Sequence, residues 1–527
     1  MSNEVLTHEE WKPSCNPWFV ALAVMLAAFM VVLDSSIANV ALPHMAGSFS
    51  ATNHEATWIL TCYLVAEGVI LPASAWMSNI WGRKNFLKIC LILFTASSVL
   101  CGLATNMQFM LFARILQGIG GGALLPISQS ILMESFPKEK RGMAMAVFGL
   151  GVVLAPVIGP TLGGWITDNY SWSWIFYINL PIGILAFLLT EAFVEDPPYA
   201  AGGEIKRIDY LGFASLAIWL ITLQVVLDNG QQHDWFQSSW ICWTAAASVI
   251  SMIFFFVWEI NYEDSIIDLS VFKDINYSIG TALSAVVNAI LYSTLAILPM
   301  FLQSLLGYTA YTSGLAISPR GIGCILALGF VGYLTDKVDN RILVGIGLFL
   351  LGLSSMVFSS LNLVISMNNI IVPNVICGVA LAFSFIPLTT VSMGTLKNHQ
   401  LANATAIQTL LKNTGGAIGI SIVSTMLSRF SQTHQAYLVD NLSKSNPIFQ
   451  YKLSYLTQAL AAKMNIVTAT AKANYIMYGQ LLEQSTLCSF IDNFRFYGIL
   501  CFVLIPSIFL LKKVASHKGS DEAVAMH

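Results

Sequence analysis

Long apolar runs separated by short polar gaps fill most of this chain. Fourteen of them read as helices: 18–42, 57–77, 86–105, 107–133, 142–165, 174–194, 209–228, 238–258, 277–303, 312–334, 341–363, 369–395, 401–428 and 490–512. Crossing a bilayer as a helix takes roughly 20 mostly apolar residues, and each run is near or above that length. The gaps are too short to fold by themselves, except for one stretch at 429–489.

Composition supports the pattern. Hydrophobic residues make up 56% of the 527 and charged residues 10%, against about 25% charged in soluble domains. The fold class is therefore an all-α polytopic membrane protein. A net charge of −3 adds little, because charge in such a chain reports topology. The nine cysteines form no CxxC pair, so no metal site and no disulfide framework is expected. The N-terminus, "MSNEVLTHEEWKPSCNPW", lacks the basic start of a cleavable signal peptide. No GxxxxGK[ST] loop and no GxSxG turn occurs, so neither ATP-driven transport nor hydrolase chemistry is expected. No cofactor and no nucleic-acid partner is expected.

Lys and Arg orient the spans. Arg83, Lys84 and Lys88 lie after the second run, and Lys138, Lys140 and Arg141 after the fourth. The alternation continues with Lys206 and Arg207, Lys273, Lys337 and Arg341, Lys397, and Lys512, Lys513 and Lys518. The intervening short loops carry no Lys or Arg. Both termini are expected in the cytoplasm. The stretch 429–489 holds five basic residues, but a loop of that length largely escapes the charge rule. It reads as one or two surface helices on the external side, either a cap over the bundle or a docking surface.

Two echoes mark an internal repeat. "WGRKNFL" follows the second span and "GYLTDKVDNR" the tenth; "APVIGPTLGGW" lies in the fifth and "NTGGAIGIS" in the thirteenth. Both are offset by eight spans, as in transporters built from repeats. The expected organisation is a tail at 1–17, a six-helix bundle at 18–194, two extra helices with flanking loops at 195–276, a second six-helix bundle at 277–512 containing the loop 429–489, and a tail at 513–527.

Away from the span ends, few charges interrupt the apolar runs: Asp34, Glu67, Arg114, Arg320 and Lys412. A charge in mid-bilayer is costly and marks a cavity or a partner. At about 1.5 Å per residue, Asp34, Glu67 and Arg114 all lie roughly 10–15 Å below the outer surface. They can therefore form one cluster in which a carboxylate facing a central cavity binds and releases a proton beside a permanent positive charge. The bland alternative is an ion pair that only locks helices together. Gln117, Asn288, Tyr292, Arg320 and Lys412 are candidates for a substrate cavity. All eight histidines fall in expected loops or tails. Gly151, Ala155, Gly159 and Gly163 fall at a four-residue spacing that lets another helix approach closely. Pro156 and Pro160 bend the same span.

"LDSSIANVALP" (33–43), "RILQGIGGGALLP" (114–126), "GPTLGG" (159–164) and "WSWIFYINLPIG" (172–183) together resemble signature stretches of the major facilitator superfamily. The likeness is to its fourteen-helix drug:proton antiporter branch, and within it to EmrB-like multidrug exporters. "IDYLGF", "VVLDNGQQHDWF", "YTAYTSGL" and "LKNTGGAIGISI" extend it over nearly the whole chain. The resemblance implies a major facilitator fold with two inserted helices, rocking between two open states and exporting amphipathic compounds in exchange for protons. It implies proton coupling at Asp34, Arg114, Gln117 and Gly118, and an antiporter motif at Gly159, Pro160, Gly163 and Gly164. Gating falls to Gly82, Arg83 and Lys84, with Asp336 in the second half. Where the superfamily's cytoplasmic motif has Gly and Asp, this chain has Ala75 and Asn79. The resemblance also implies an inner-membrane location, a periplasmic adaptor of the EmrA-like membrane fusion type and a TolC-like outer-membrane channel. A dedicated exporter of one metabolite, such as a siderophore or fatty acid, is the alternative.

Overall fold

With no water in a bilayer core, each backbone amide must be satisfied within its own segment, and a helix does this alone. In the computed structural model of the chain, all regular structure among the described residues is helical. The structure describes residues 15–136, 140–196, 209–262, 267, 269–335, 337–396, 400–443 and 445–512. The helices are α1 (Pro17–Ser48), α2 (Asn53–Trp81), α3 (Arg83–Gly102), α4 (Met107–Gly122), α5 (Leu124–Ser135), α6 (Arg141–Asn169), α7 (Trp174–Tyr177), α8 (Asn179–Phe193) and α9 (Tyr210–Asn229). They continue with α10 (Ser239–Asn261), α11 (Ile275–Met300), α12 (Ala310–Ile317), α13 (Pro319–Thr335), α14 (Asn340–Phe358), α15 (Asn368–Met393), α16 (Leu401–Val439), α17 (Pro447–Ala461) and α18 (Ile466–Leu504).

Thirteen helical runs among the described residues are long and apolar enough to cross a membrane. Three of them are broken helices: α4 with α5, α7 with α8, and α12 with α13. The remaining expected span, 401–428, lies in α16, whose Lys412 and polar "KNTGG" stretch dilute its apolar character. Packing holds it in the bundle, against α2, α9, α11 and α18. The chain is thus an all-α polytopic membrane protein.

Local chemistry sets many of the ends. Thr52 and Glu55 form a capping box at the start of α2. Asn16 caps α1, with Pro17 at the first helical position, and Asp274 caps α11 through the Tyr277 amide at 2.9 Å. The α12–α13 break falls at "SP" 318–319, because Pro319 has no N–H to continue the helix.

The repeat is visible in the packing. α1 lies on α6 and α11 on α16; α2 on α4 and α13 on α15; α3 on α8 and α14 on α18. Each second pair is the first displaced by eight spans. α9 and α10 pack on each other, and α9 also reaches α2 and α16.

The stretch 429–489 is not a loop between spans. Its first part continues α16 to Val439, and its last part is the beginning of α18, which runs unbroken from Ile466 into the membrane. Few helix breakers interrupt either segment, and the two helices zip together. Ser489 Oγ donates to the Leu427 carbonyl at 2.6 Å, Gln435 Nε2 to the Tyr478 hydroxyl at 2.8 Å, and His434 lies 2.7 Å from Asp492. α17 packs on α18. His44, His54 and His434 lie in helices rather than loops, because α1, α2 and α16 extend past the apolar cores that mark their spans.

Candidate functional site

Arg114 and Gln117 are one helical turn apart on α4, so their side chains share a face. That face meets α1 at Asp34. Arg114 Nη1 donates to Asp34 Oδ2 at 2.7 Å and to Gln117 Oε1 at 2.7 Å. Gln117 Nε2 donates to Asp34 Oδ1 at 2.9 Å, and Asn179, the first residue of α8, donates to the same oxygen at 2.7 Å. Asn179 also donates to Ser98 Oγ of α3 at 2.9 Å. Arg114 Nε donates to the Ile59 carbonyl of α2 at 3.1 Å. The guanidinium lies over the Tyr63 ring, 4.5 Å from its centre, where the ring's negative face favours a cation.

Five helices thus converge on one carboxylate, with Asp34 2% exposed and Arg114 fully buried. The pairing expected from equal depth is present. The expected exposure of Asp34 to a central cavity is not. α1 turns Asp34 inward and presents its neighbours Ser35, Ser36 and Asn39 to the cavity instead. Gln117 joins the aspartate knot and does not line the cavity. Removing either charge would leave the other buried and unpaired, which costs about 3–5 kcal/mol in comparable pairs.

Glu67 makes no hydrogen bond to this knot among the described residues, but it lies within electrostatic range of Asp34 and Arg114. Its backbone packs against Gly118 and Gly122 of α4, while Asn413 of α16 faces its carboxyl group. It lies on the seam between α2 and α16, at the edge of the Asp34 group and not bonded into it. Further buried carboxylates, Asp209, Asp228 and Glu259, were missed from sequence, and Asp228 is the one that ties three helices together. Asp228 is the last residue of the run 209–228 and reads as its polar end, but the last turn of α9 buries it. It accepts from Thr61 of α2 at 2.8 Å, from Gln224 at 2.8 Å, and from Ser421 of α16. The polar residues Gln224 and Asp228, four apart in an otherwise apolar helix, were the available signal.

The small residues of α6 serve two neighbours. Gly151 packs on Met25, Gly159 on Ser36 and Gly163 on Ile37, all in α1. On the adjacent face, the Pro160 carbonyl sits where a Cβ of Gly314 in α12 would be, and the Ala310 carbonyl sits where a Cβ of Gly164 would be. Asp168, at the end of α6, caps α12 by accepting from the amides of Ala310 at 3.1 Å and Tyr311 at 2.7 Å. Nearby, Gln303 donates to the Val40 carbonyl at 2.9 Å. The seam between α6 and α12–α13 then runs through Thr161 and Ser318, 2.6 Å apart, to Val157 and Gly321. These contacts seal the side away from the basic loops.

A cavity of about 240 Å³ begins where that seam ends. Tyr292 of α11 and Arg320 of α13 line it, as expected, with Pro156, Cys324 and Phe385 on the side toward the basic loops. Asn288 does not line it; that side chain is buried and bonds back to the Ser284 carbonyl at 3.2 Å. Lys412 does not line it either, standing 6.0 Å from the centre of the Phe385 ring.

The basic residues expected to gate are tied within their own group of helices. Gly82 has φ +78° and packs on Asp196. Lys84 donates through its amide to Asp196 at 2.8 Å and through Nζ to the Glu191 carbonyl at 2.7 Å. Arg83 pairs with Glu134 of α5. Asp336 lies outside the described residues.

Buried charge around a central cavity, within a repeated helical bundle, defines a membrane transport protein rather than an enzyme. Residues 24–420 match the model of the Major Facilitator Superfamily, and the chain belongs to that family. It is 34% identical over 82% of its length to a multidrug export protein, EmrB, of Haemophilus influenzae, covering 84% of that protein. It is 33% identical over 94% of its length to the fatty acid resistance protein FarB of Neisseria gonorrhoeae, covering 96% of it. Among solved structures, a bacterial homologue of the human lysosomal transporter Spinster, in an inward-facing and occupied conformation, covers 95% of this chain and 100% of its own, with a TM-score of 0.61 at 16% identity. That last likeness is one of fold.

Proposed function

We propose that the protein is a proton-driven antiporter that exports amphipathic compounds across a bacterial inner membrane by alternating access. The observation that carries this reading is the Asp34 knot and its position. Asp34 is held by Arg114, Gln117 and Asn179, and two residues later Ser36 packs on Gly159 of α6. α6 in turn packs on α12 through Pro160 and Gly164. A proton on Asp34 removes its charge and loosens its hold on Arg114, and the disturbance reaches the seam that closes one side of the cavity. The sealed side lies away from the basic loops, so the cavity is read as facing the cytoplasm, with both termini on that side. Sequence likeness to multidrug exporters supports the drug-export reading.

Likeness to those exporters over 82% and 95% of the chain, together with the α16–α18 hairpin, supports operation with a periplasmic adaptor and an outer-membrane channel. Tyr451, Tyr455 and Tyr475 are exposed on α17 and α18, as a docking surface requires. A second reading, a dedicated exporter of one metabolite such as a siderophore or fatty acid, draws on the likeness to a fatty acid resistance protein.

The test is transport in vesicles carrying the purified protein under an imposed pH gradient. The wild type accumulates an amphipathic dye when the gradient is applied. Asp34→Asn inserts and binds the dye but does not respond to the gradient. Gradient-driven accumulation by the Asn variant at the wild-type rate would overturn the assignment.

A further inference from the structure

Arg320 is a buried cation with neutral partners. It sits in the first turn of α13, 5% exposed. Its Nε donates to Asn374 Oδ1 at 3.1 Å and its Nη1 to Thr294 Oγ1 at 3.1 Å. Both acceptors are fixed in advance. Asn374 spends its own amide protons on the carbonyls of Ala316 at 3.1 Å and Ile370 at 3.0 Å. Thr294 donates to the Leu291 carbonyl at 2.9 Å. Nη2 is buried and has no hydrogen-bond partner. Arg320 takes part in no ion pair among the described residues.

The contrast with Arg114 is informative. Both are arginines deep in the bundle, but Arg114 faces a carboxylate and Arg320 faces the cavity. Burying a charge without a counter-charge is expensive. An arginine held only by neutral acceptors, with part of its fork free, is a site for a carboxylate. The first turn of a helix also favours negative charge. Around Arg320 the cavity wall is mostly apolar, with Val32, Leu291, Leu295, Leu381 and Phe385 among its residues. No Asp, Glu or Lys lines it among the described residues. Asn39 also lines the wall, with its amide nitrogen bound to the Ser35 carbonyl at 2.7 Å.

We infer that Arg320 is the anion subsite of the central cavity and that the preferred substrates are amphipathic organic acids, an apolar body carrying one carboxylate. This deepens the proposed export function and rests on it only for the direction of transport; binding is tested separately. In this arrangement the carboxylate pairs with the guanidinium where Arg320 lines the cavity, and the apolar body fills the wall formed by α1, α11 and α15.

The experiment compares 2-naphthoate with 2-naphthamide, which share an apolar body and differ in charge. Binding to the purified protein in nanodiscs is measured by calorimetry at neutral pH. The wild type is expected to prefer the acid by about tenfold or more, the scale of one charge-assisted hydrogen bond. Arg320→Gln brings the two affinities together, and Arg320→Lys restores part of the preference. A wild type that binds both equally, or an Arg320→Gln protein that still prefers the acid, overturns the inference. Thermal unfolding of each variant separates a structural pin: a pin lowers the melting temperature and leaves the ratio unchanged, which also counts against the subsite. The two readings fail differently. Gradient-driven transport of an uncharged amphiphile with no acid preference removes the subsite and keeps the antiporter. Acid-selective binding without gradient-driven transport does the reverse.

Discussion

Ser36 Oγ lies 2.5 Å from the point where a Cβ on Gly159 would stand. The contact leaves no room between α1 and α6. It stands two residues from Asp34 and one residue from Pro160, whose carbonyl meets Gly314 of the other repeat. Asp34 and the seam between α6 and α12 are therefore linked through a single layer of close packing, and close-packed layers shift as units rather than bending smoothly.

Gly159→Ala should separate α1 from α6. Overpacking of this kind costs about 1–3 kcal/mol. The expected outcome is a lower melting temperature in detergent and slower gradient-driven transport, with the substrate still bound. Ser36→Gly on the same background should recover part of both losses, since it vacates the contested space. A Gly159→Ala protein with wild-type transport and melting would show that the layer does not transmit.

The Asp34–Arg114 pair should be strongly non-additive. Each single change, Asp34→Ala or Arg114→Ala, leaves an uncompensated buried charge and should lower stability by about 3–5 kcal/mol. The double variant should be more stable than the sum of the singles predicts. Thermal unfolding of all four proteins measures this. Additive losses would mean that the two groups are held by their other partners and not by each other.

Asp228 joins α2, α9 and α16 through three donors. Asp228→Asn keeps an acceptor but brings two amide protons against Thr61, Gln224 and Ser421, so some of those hydrogen bonds are lost. A destabilisation of about 1–3 kcal/mol is expected, with slower transport but an undiminished response to the pH gradient. Asp228→Leu should be worse, because it removes every acceptor. Loss of the gradient response in Asp228→Asn, with binding intact, would make this carboxylate a proton carrier and not a tie.

The projecting hairpin can be shortened without cutting the membrane helices. Residues 440–465 lie between the end of α16 and the start of α18. Replacing them with a short flexible linker should leave 2-naphthoate binding by the purified protein unchanged and should reduce resistance in cells with two membranes. Parallel loss of binding and resistance would make the hairpin a brace for the transporter itself.

Hydrophobic runs, basic loops and repeat echoes made the helical membrane class and the pair Asp34–Arg114 legible from sequence. These are local properties: one residue after another either tolerates lipid or does not, and a charge in an apolar run stands out wherever the run ends up. What the tertiary structure decided is which way each side chain faces. Asp34 and Ser35 are adjacent in sequence, yet one is sealed in a five-helix knot and the other lines a cavity. Gln117 went to the knot, Asn288 into helix packing and Arg320 to the cavity, although nothing in their neighbourhoods along the chain separates them. Asp228 looked like the polar end of a span until α2 and α16 supplied its donors from 167 and 193 residues away. Helix rotation is set by contacts between segments distant in sequence, and a 100° turn per residue converts neighbours in the chain into residents of different environments.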